Sequence, residues 1–122
     1  MKKPHLKPGP HHPITVTPNP HRVTVTAGGT TVVDTKQALT LQEASYRPVR
    51  YLPREDVDMS RLEPTSHHTY CPYKGEASYF SVRTDDGVLE NAVWSYEEPH
   101  DAVAQIARYL AFYPEKVEIS ED

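Results

Sequence analysis

Residues with the chemistry of a reactive site lie close together in and just before positions 69–80, which read TYCPYKGEASYF. Cys71 is the single cysteine, with Lys74 three positions after it and His67 four positions before it. A nearby cation lowers the pKa of a thiol and so produces thiolate, the form that attacks electrophiles. This spacing makes Cys71 a candidate nucleophile, with Lys74 and His67 as its partners. The alternative is that Cys71 is a small buried side chain in a tight turn that enters a strand.

The same segment suggests a metal site and a phosphate site, and both are incomplete. His67, His68 and Cys71 are zinc-ligand types, but structural zinc takes four ligands and catalytic zinc three, and a second ligand pair is missing. Lys74 and Gly75 could approach a phosphate, but the glycine spacing of a phosphate-binding loop does not surround them. We therefore predict no metal site.

Aromatic and cationic residues form a further candidate surface. Trp94 and Tyr96 alternate in AVWSYEE, so on a strand they point to one face. Such a patch usually belongs to a core, but both residue types keep a polar group and can also line a pocket for a planar ligand. Arg47, Arg50 and Arg54 form a cationic group that could contact an anion or pair with nearby acidic residues.

Length and composition indicate what kind of domain must position these residues. A chain of 122 residues fits one domain whose core needs neither disulfides nor metal. Thirteen lysine and arginine residues against seventeen aspartate and glutamate residues leave a formal charge of −4, which argues against a nucleic-acid or anionic-membrane partner. The sequence has no apolar run near the ~20 residues that span a bilayer and no apolar signal-peptide centre. We expect a cytoplasmic protein.

The amino-terminal segment differs from the rest of the chain. Residues 1–33 carry no acidic side chain, and residues 1–12 are rich in proline and histidine. Proline favours extended backbone over helix or central strand. We expect residues 1–12 to be a flexible arm and residues 13–122 to form a single domain, on which Ile14 and Val16 pack as an edge segment.

Periodicity predicts two hairpins and one helix. RVTVTAGGTTVVD alternates around Gly28 and Gly29, and ASYFSVRTDDGVLENAVWSYEE has an Asp-Gly turn between two strand-like runs. Apolar residues recur at helical spacing over about 99–113, and KVEIS alternates like a final strand. The predicted fold is mainly β, with compact antiparallel sheets built from hairpins as a sandwich or tent, and one C-terminal α-helix packed on the sheet.

Several segments together resemble a known family. HPITVTPNPHRV, YLPREDVDMSRLEPTSHHTYCPYKGEASYF, NAVWSYEEP and YLAFYPEKVE resemble the domain of unknown function 427 (DUF427), also labelled nucleotidyltransferase-like, over about residues 9–121. The resemblance implies a small, mainly β, single-domain soluble protein and brings no established activity. His68 departs from the family pattern, in which a small hydroxyl residue is usual. Paired carboxylates that would hold magnesium for nucleotidyl transfer are missing, apart from Asp56 and Asp58.

Our leading hypothesis is that the protein binds a small anionic ligand, nucleotide-like or another metabolite, between the loop 70–75 and the segment 51–56. The sequence leaves open both whether a cofactor is used and whether a reaction is catalysed. Lys74 would hold the anion, His67 would act as acid or base, and Cys71 would be a nucleophile or a packed support. The predicted ligand-binding residues are Tyr51, Arg54, Asp56, Thr69, Tyr73, Lys74, Trp94 and Tyr96. The alternative is a non-catalytic protein-interaction or homodimerisation module that uses an aromatic surface and an exposed strand edge.

Overall fold

The structure is a computed structural model that describes residues 3–122. Within these residues the chain forms ten strands and three short 3₁₀ turns. The strands are β1 (Ile14–Asn19), β2 (Val23–Ala27), β3 (Thr30–Thr35), β4 (Ala38–Glu43), β5 (Val49–Tyr51), β6 (Leu62–Cys71), β7 (Gly75–Thr84), β8 (Gly87–Ser95), β9 (Ala111–Phe112) and β10 (Glu118–Glu121). The 3₁₀ turns are Arg54–Asp56, Met59–Arg61 and Asp101–Ile106. The predicted mainly β class is confirmed.

The strands form three antiparallel sheets. Their strand orders are β1-β4-β5, β10-β2-β3 and β6-β7-β8-β9. An isolated backbone pair between Leu52, next to β5, and Leu110, next to β9, connects the β1-β4-β5 sheet to the β6–β9 sheet. A second pair joins Val33 of β3 to Val57, which follows the 3₁₀ turn Arg54–Asp56. Neighbouring strands are antiparallel throughout residues 3–122, as the sequence predicted.

Glycine closes both predicted hairpins, β2–β3 and β7–β8, which are confirmed. Gly28 and Gly29 have φ values of +55° and +83°, a region that side chains with a Cβ rarely adopt. A Cβ on Gly28 would also lie 2.9 Å from the Cβ of Thr84, which is at the tip of the other hairpin. Gly28 therefore permits both the turn and the close approach of the two hairpins.

The α-helix predicted over 99–113 is wrong. Only Asp101–Ile106 winds, as 3₁₀ turns interrupted at Val103, where φ is −127° and ψ is 31°. Leu110 then exchanges two backbone hydrogen bonds with Leu52, at 2.8 and 2.9 Å, and the next two residues form β9. No helix within residues 3–122 is long and apolar enough to cross a membrane.

The apolar spacing suggested a helix because three different structures follow one another there. Val103 and Ile106 are buried by the 3₁₀ turn, Leu110 by its pairing with Leu52, and Phe112 by strand β9. Each residue is buried for its own reason, and the spacing only coincides with a helical period. Pairing with partner strands satisfies the backbone groups that an α-helix would satisfy internally.

Strand β6 was not predicted, although it is ten residues long. Its side chains are exposed at most positions from Glu63 to Thr69, so it lacks the alternation of a half-buried strand. The β6–β7 pairing also shifts register between Pro64 and His68. As the edge of its sheet β6 tolerates both features, because β7 alone supplies its backbone partners.

The core has two parts with different side chains. The first, which we call the aliphatic cluster, is dominated by valine and has as its buried members Val23, Val25, Ala27, Val32, Val33, Ala38, Leu52, Val57, Leu62, Val82, Ala92, Val93, Leu110, Phe112 and Val117. The second, the aromatic cluster, has as its buried members Leu41, Tyr51, Ala77, Tyr79, Tyr96, Val103, Ile106 and Ala111. Ile14 and Val16 of β1 pack against the aromatic cluster, which confirms their predicted contact with the domain.

Candidate functional site

Members of the aromatic cluster line a cavity of about 230 Å³, which we call the aromatic cavity. Leu41 and Val49 contribute aliphatic surface, and Glu43, Arg47 and Lys74 contribute charges. The rings that line it are Tyr46, Tyr51, Tyr79, Trp94, Tyr96 and Tyr113. A mostly aromatic wall with a few polar groups is the usual make-up of a small-molecule site.

Strand register explains why these rings face one another. Tyr79 on β7 lies directly opposite Trp94 on β8, and Tyr96 follows Trp94 by two positions, so all three are directed to one side of the sheet. On the other wall Leu41 of β4 lies opposite Val49 of β5. The cavity therefore lies between a wall from the β6–β9 sheet and a wall from the β1-β4-β5 sheet.

One end of the aromatic cavity is closed by charged residues from three parts of the chain. Lys74 donates a hydrogen bond from Nζ to Glu43 Oε1, and His12 Nε2 lies 2.8 Å from Glu43 Oε2. Burial raises the pKa of the Glu43 carboxyl, but hydrogen bonds and charges from Lys74 and His12 outweigh burial and hold this pKa below its ordinary value. Glu43 is therefore ionised at neutral pH, and it compensates the charge of Lys74.

Residues before β1 reach this charged end along the Cys71–Gly75 turn. The ring of His12 stacks on the ring of Tyr73, with centroids 4.0 Å apart and planes 8° from parallel. Nearer the amino terminus, the Leu6 N–H donates to the Pro72 carbonyl at 3.0 Å. The segment thus follows the turn that carries Lys74. The flexibility of residues 1–12 stays a prediction, and residues 1–2 lie outside the described residues.

Two buried tyrosines on the cavity wall differ in their hydrogen bonds. Trp94 donates from Nε1 to the Tyr51 hydroxyl at 3.2 Å. The Tyr96 hydroxyl makes no hydrogen bond to a protein group within residues 3–122. Burial raises the pKa of both hydroxyls, so both are protonated at neutral pH. Tyr96 is therefore a hydroxyl donor on the cavity wall.

Three hydroxyl groups form a chain from the cavity wall to strand β6. The Thr69 and Tyr79 hydroxyl oxygens are 2.9 Å apart, and those of Tyr79 and Tyr113 are 3.2 Å apart. Burial and the bond to Tyr79 raise the pKa of Tyr113, which is therefore protonated at neutral pH. Since Tyr79 and Tyr113 both line the cavity, the chain holds two of its rings in place.

Arg47 is an exposed cation that lines the aromatic cavity. It forms no ion pair with an acidic residue within residues 3–122. Glu43 and Lys74 cancel each other, so Arg47 leaves the cavity lining with one net positive charge. The cavity therefore combines aromatic walls with a single uncompensated cation.

A family model, Domain of unknown function (DUF427), matches residues 15–122. The chain belongs to the DUF427 family. The match includes the lining of the aromatic cavity, whereas His12 at the charged end precedes it. No curated protein matches the chain.

Four of the predicted site residues meet at the aromatic cavity of this DUF427 domain. They are Tyr51, Lys74, Trp94 and Tyr96. Lys74 was expected to hold an anion, but its ammonium group is buried against Glu43. An anion could bind Lys74 only by competing with that carboxylate, whereas Arg47 has no such competitor among the described residues.

His67 and Cys71 do not line the cavity. Both are on β6, four residues apart, a separation of about 13 Å in an extended strand. Cys71 is half-buried against the aromatic cluster, and His67 is exposed with its ring centroid 4.5 Å from that of Tyr79. Within residues 3–122 no three histidine, cysteine, aspartate or glutamate side chains are grouped as metal ligands would be. The catalytic roles of His67, Cys71 and Lys74 stay predictions.

The remaining predicted ligand-binding residues lie outside the cavity lining. Arg54 donates to Glu97 at 2.6 Å, and Asp56 accepts a hydrogen bond from the Thr35 hydroxyl at 2.7 Å. These two side chains already have protein partners. The two that contact residues at or near the cavity are Thr69, through Tyr79, and Tyr73, through His12.

Glu43, Tyr113 and His12 were not among the site residues predicted from the sequence. Glu43 follows Leu41 by two positions, so strand alternation could have placed it on the cavity face, but nothing in the sequence links it to Lys74, 31 positions later. Tyr113 was assigned to the incorrect helix. His12 was assigned to a flexible arm, and its contact with Glu43 depends on the pairing of β1 with β4.

Proposed function

We propose that this DUF427 domain binds a small planar organic anion in the aromatic cavity. The observation that carries the proposal is Arg47, a cation without an ion-pair partner among residues 3–122, on a cavity whose other two charges cancel. Arginine pairs with a carboxylate through two parallel hydrogen bonds, and a net positive site attracts anions. The expected ligand therefore carries a carboxylate or a similar anion next to a flat apolar body.

The ring walls support a planar ligand. The centroids of Trp94 and Tyr113 are 4.6 Å apart, with planes tilted by 47°, so the rings present both a face and an edge. Aromatic rings favour offset and edge-to-face contacts of this kind. The Tyr96 hydroxyl adds a hydrogen-bond donor on the same wall.

The volume limits the size of the ligand. The aromatic cavity measures about 230 Å³, below the ~300–1,000 Å³ of most small-molecule sites. A single ring with a short anionic group matches this space better than a whole nucleotide. This narrows the ligand class predicted from the sequence to its smaller members.

A cationic ligand is the main alternative for an aromatic-walled site. Several rings and an acid such as Glu43 can form a cage for a quaternary ammonium group. Here Glu43 is already paired with Lys74, and Arg47 would repel a cationic ligand. The charge of the lining therefore favours the anion.

The proposal concerns binding and includes no nucleotidyl transfer. Magnesium for that reaction would need free carboxylates, and Asp56 and Asp58 were the candidate pair. Asp56 accepts from Thr35 at 2.7 Å, and Asp58 accepts from the Ser60 hydroxyl at 2.6 Å. Both carboxylates therefore already have hydrogen-bond partners, one on strand β3 and one in the 3₁₀ turn Met59–Arg61.

Trp94 supplies the test, because it is the single tryptophan and lines the cavity. Phenylacetate, neutral phenylacetamide and benzyltrimethylammonium are titrated while tryptophan emission is recorded. We expect phenylacetate to change the tryptophan emission in a saturable way. Phenylacetamide should bind at least about tenfold more weakly, because a hydrogen bond to a charged group contributes ~1.5–3 kcal/mol. Arg47→Ala should lower the affinity for phenylacetate to about the affinity of wild type for phenylacetamide.

Arg61→Ala is the matched control, since Arg61 is a partly exposed arginine outside the cavity lining. It should leave phenylacetate binding unchanged. Tightest binding by benzyltrimethylammonium would support the cage instead. Equal binding of phenylacetate to wild type and Arg47→Ala would reject the role of Arg47.

A second proposal is self-association through β6. This strand is ten residues long at a sheet edge, and positions 64–71 carry no aspartate, glutamate, lysine or arginine to discourage pairing with another edge. Sedimentation equilibrium should show a dimer that Ser66→Pro converts to a monomer, because proline removes a backbone donor. A monomer in wild type at high protein concentration would reject the dimer.

A further inference from the structure

A second and larger space, a groove of about 560 Å³, adjoins the aromatic cavity. Arg47, Val49, Trp94 and Tyr113 line both spaces. The cavity and the groove therefore share a boundary, and Arg47, which has no ion-pair partner among residues 3–122, is one of the residues on that boundary. A ligand held by Arg47 can extend into both spaces.

Beyond that boundary the groove is largely apolar. Pro48, Phe112, Pro114 and Ile119 contribute to its lining. Phe112 is 3% exposed and belongs to the aliphatic cluster, against which Ile119 also packs. The apolar lining is thus anchored in the core, so its shape does not depend on mobile side chains alone.

The charges of the groove oppose a second anion. Arg50 donates to Glu121 at 2.7 Å, so this pair is internally compensated. Glu115 also lines the groove, is exposed, and forms no ion pair within residues 3–122. Apart from Arg47, the groove lining therefore consists largely of apolar side chains and carries one net negative charge. An uncharged, apolar extension suits this surface.

We propose that the ligand is a branched aryl carboxylate of the 2-arylalkanoate type. Its ring lies in the aromatic cavity, its carboxylate pairs with Arg47 at the boundary, and its alkyl chain lies in the groove. The branching follows from the position of Arg47, since the anion must be attached where the ring-bearing and chain-bearing parts meet. This inference rests on the proposed function of the aromatic cavity and specifies its ligand.

The same charges argue against a nucleotide that crosses the boundary. With its base in the cavity, its phosphates would have to pass Arg47 and enter the groove beside Glu115 and Glu121. Arg50 is already engaged by Glu121, so only Arg47 could compensate the phosphates. Like charges at close range disfavour binding.

The first test is a chain-length series with the wild-type protein. Phenylacetate, which is achiral, and the tighter-binding enantiomers of 2-phenylpropanoate, 2-phenylbutanoate and 2-phenylpentanoate are titrated, and Trp94 emission is recorded. We expect about threefold to fourfold tighter binding for each added methylene, the gain typical of burying one methylene. Affinities that do not rise along the series would overturn the inference, because the chain would then remain in solvent.

The second test places a charge at the end of the chain. 2-Phenylglutarate resembles 2-phenylpentanoate but ends in a second carboxylate, and we expect it to bind at least about tenfold more weakly. Glu115→Gln, an exposed and nearly isosteric change, should reduce that difference severalfold. Glu118→Gln is the matched control, because Glu118 is exposed on β10 but does not line the groove, and it should leave the difference unchanged.

The outcomes separate this inference from the proposed function. If phenylacetate binds through Arg47 but affinity does not rise along the alkyl series, the proposed function of the aromatic cavity is supported and the groove is not part of the site. If phenylacetate fails to bind, the proposed function fails and this inference fails with it. Tighter binding of adenosine monophosphate than of 2-phenylpentanoate, with displacement of phenylacetate, would overturn the assigned ligand class.

Discussion

The aliphatic and aromatic clusters share strands β4, β7, β8 and β9 but differ in how completely their side chains fill the space between them. Phe80 and Val93, neighbours on β7 and β8, belong to the aliphatic cluster, whereas Tyr79 and Trp94, one position along each strand, belong to the aromatic cluster. Small branched side chains interdigitate to high density. Large rigid rings with hydroxyls that need partners pack less completely, and here they surround the aromatic cavity.

This difference would separate stability from the proposed binding within one small domain. The aliphatic cluster joins the β10-β2-β3 sheet to the far side of the β6–β9 sheet without ionisable side chains. The aromatic cluster lies on the other side, next to the ion pair of Glu43 and Lys74. We therefore expect substitutions in the first cluster to unfold the protein, and conservative substitutions in the second to alter the site at smaller cost.

The largest expected effect comes from Val25→Asp in the aliphatic cluster. Val25 is 0% exposed, so the carboxylate would be buried without a partner. We expect a loss of about 4 kcal/mol or more from a total stability of ~5–15 kcal/mol, measured by urea denaturation. Thr31→Asp, at an exposed position of β3, should stay within about 0.5 kcal/mol of wild type. A cooperative, unshifted transition for Val25→Asp would mean that this cluster is not the stable part of the fold.

Lys74→Met is expected to lower the free energy of unfolding by a smaller amount, which depends on pH. Removing the ammonium leaves the Glu43 carboxylate with His12 alone, and we expect about 2–3 kcal/mol of destabilisation at pH 7, at or below the range for breaking a buried pair. Because folding lowers the pKa of Glu43, its stabilising contribution is present above the unfolded-state pKa and is lost as pH falls through the folded-state pKa.

The difference between wild type and Lys74→Met should therefore shrink from pH 7 to pH 4. In the variant, burial raises the pKa of Glu43 without the opposing effect of Lys74, so the carboxylate that lost its partner becomes protonated and its cost is relieved. Urea denaturation at both values measures it. Lys36→Met, at an exposed lysine, controls for the loss of a positive charge. A difference that stays the same at pH 4 would show that the loss comes from packing and not from the carboxylate.

Tyr79→Phe should cost about 1 kcal/mol, the usual contribution of a hydrogen bond. It removes the central hydroxyl of the chain that joins Thr69 to Tyr113 and leaves the ring in place. Tyr46→Phe, at a ring that is 59% exposed, is the matched control and should change stability little. Equal thermal transitions for all three proteins would indicate that the hydroxyl chain does not stabilise the aromatic cluster.

The smallest expected effect is that of removing residues 1–9. This segment contributes an exposed ion pair of Lys3 and Glu76 at 3.1 Å, a hydrogen bond from the Leu6 N–H to the Pro72 carbonyl and a stack of His5 on His100. An exposed ion pair contributes only ~0–1 kcal/mol, and all three contacts are close to the chain terminus, where order is usually weakest. We expect no measurable change in the thermal midpoint. Removal of residues 1–12 should lower it, since His12 no longer bonds to Glu43. Equal midpoints for the two truncated proteins would show that His12 contributes nothing to the charged end.

Local sequence patterns were sufficient for the elements that depend on neighbouring residues. Paired glycines and an Asp-Gly turn predicted both hairpins, and alternation placed Trp94 and Tyr96 on one face. The motifs around TYCPYKG were sufficient for the family. The helix over 99–113 and the missed strand β6 are two failures of local reasoning. Leu110 takes its structure from Leu52, which is distant in sequence, and β6 is a mostly exposed edge strand without the alternation that marks a half-buried strand.

By itself the sequence determined the mainly β class, the hairpins and the membership of the DUF427 family, because turn chemistry, alternation and motif order act over short distances along the chain. Only the tertiary structure decided which residues come together at the candidate site and which of their charges are compensated. It paired Lys74 with Glu43, placed Cys71 away from the cavity lining, and left Arg47 without an ion-pair partner among residues 3–122. Charge compensation depends on distances in space between residues far apart in sequence, so spacing along the chain could not reveal which cation remained for a ligand.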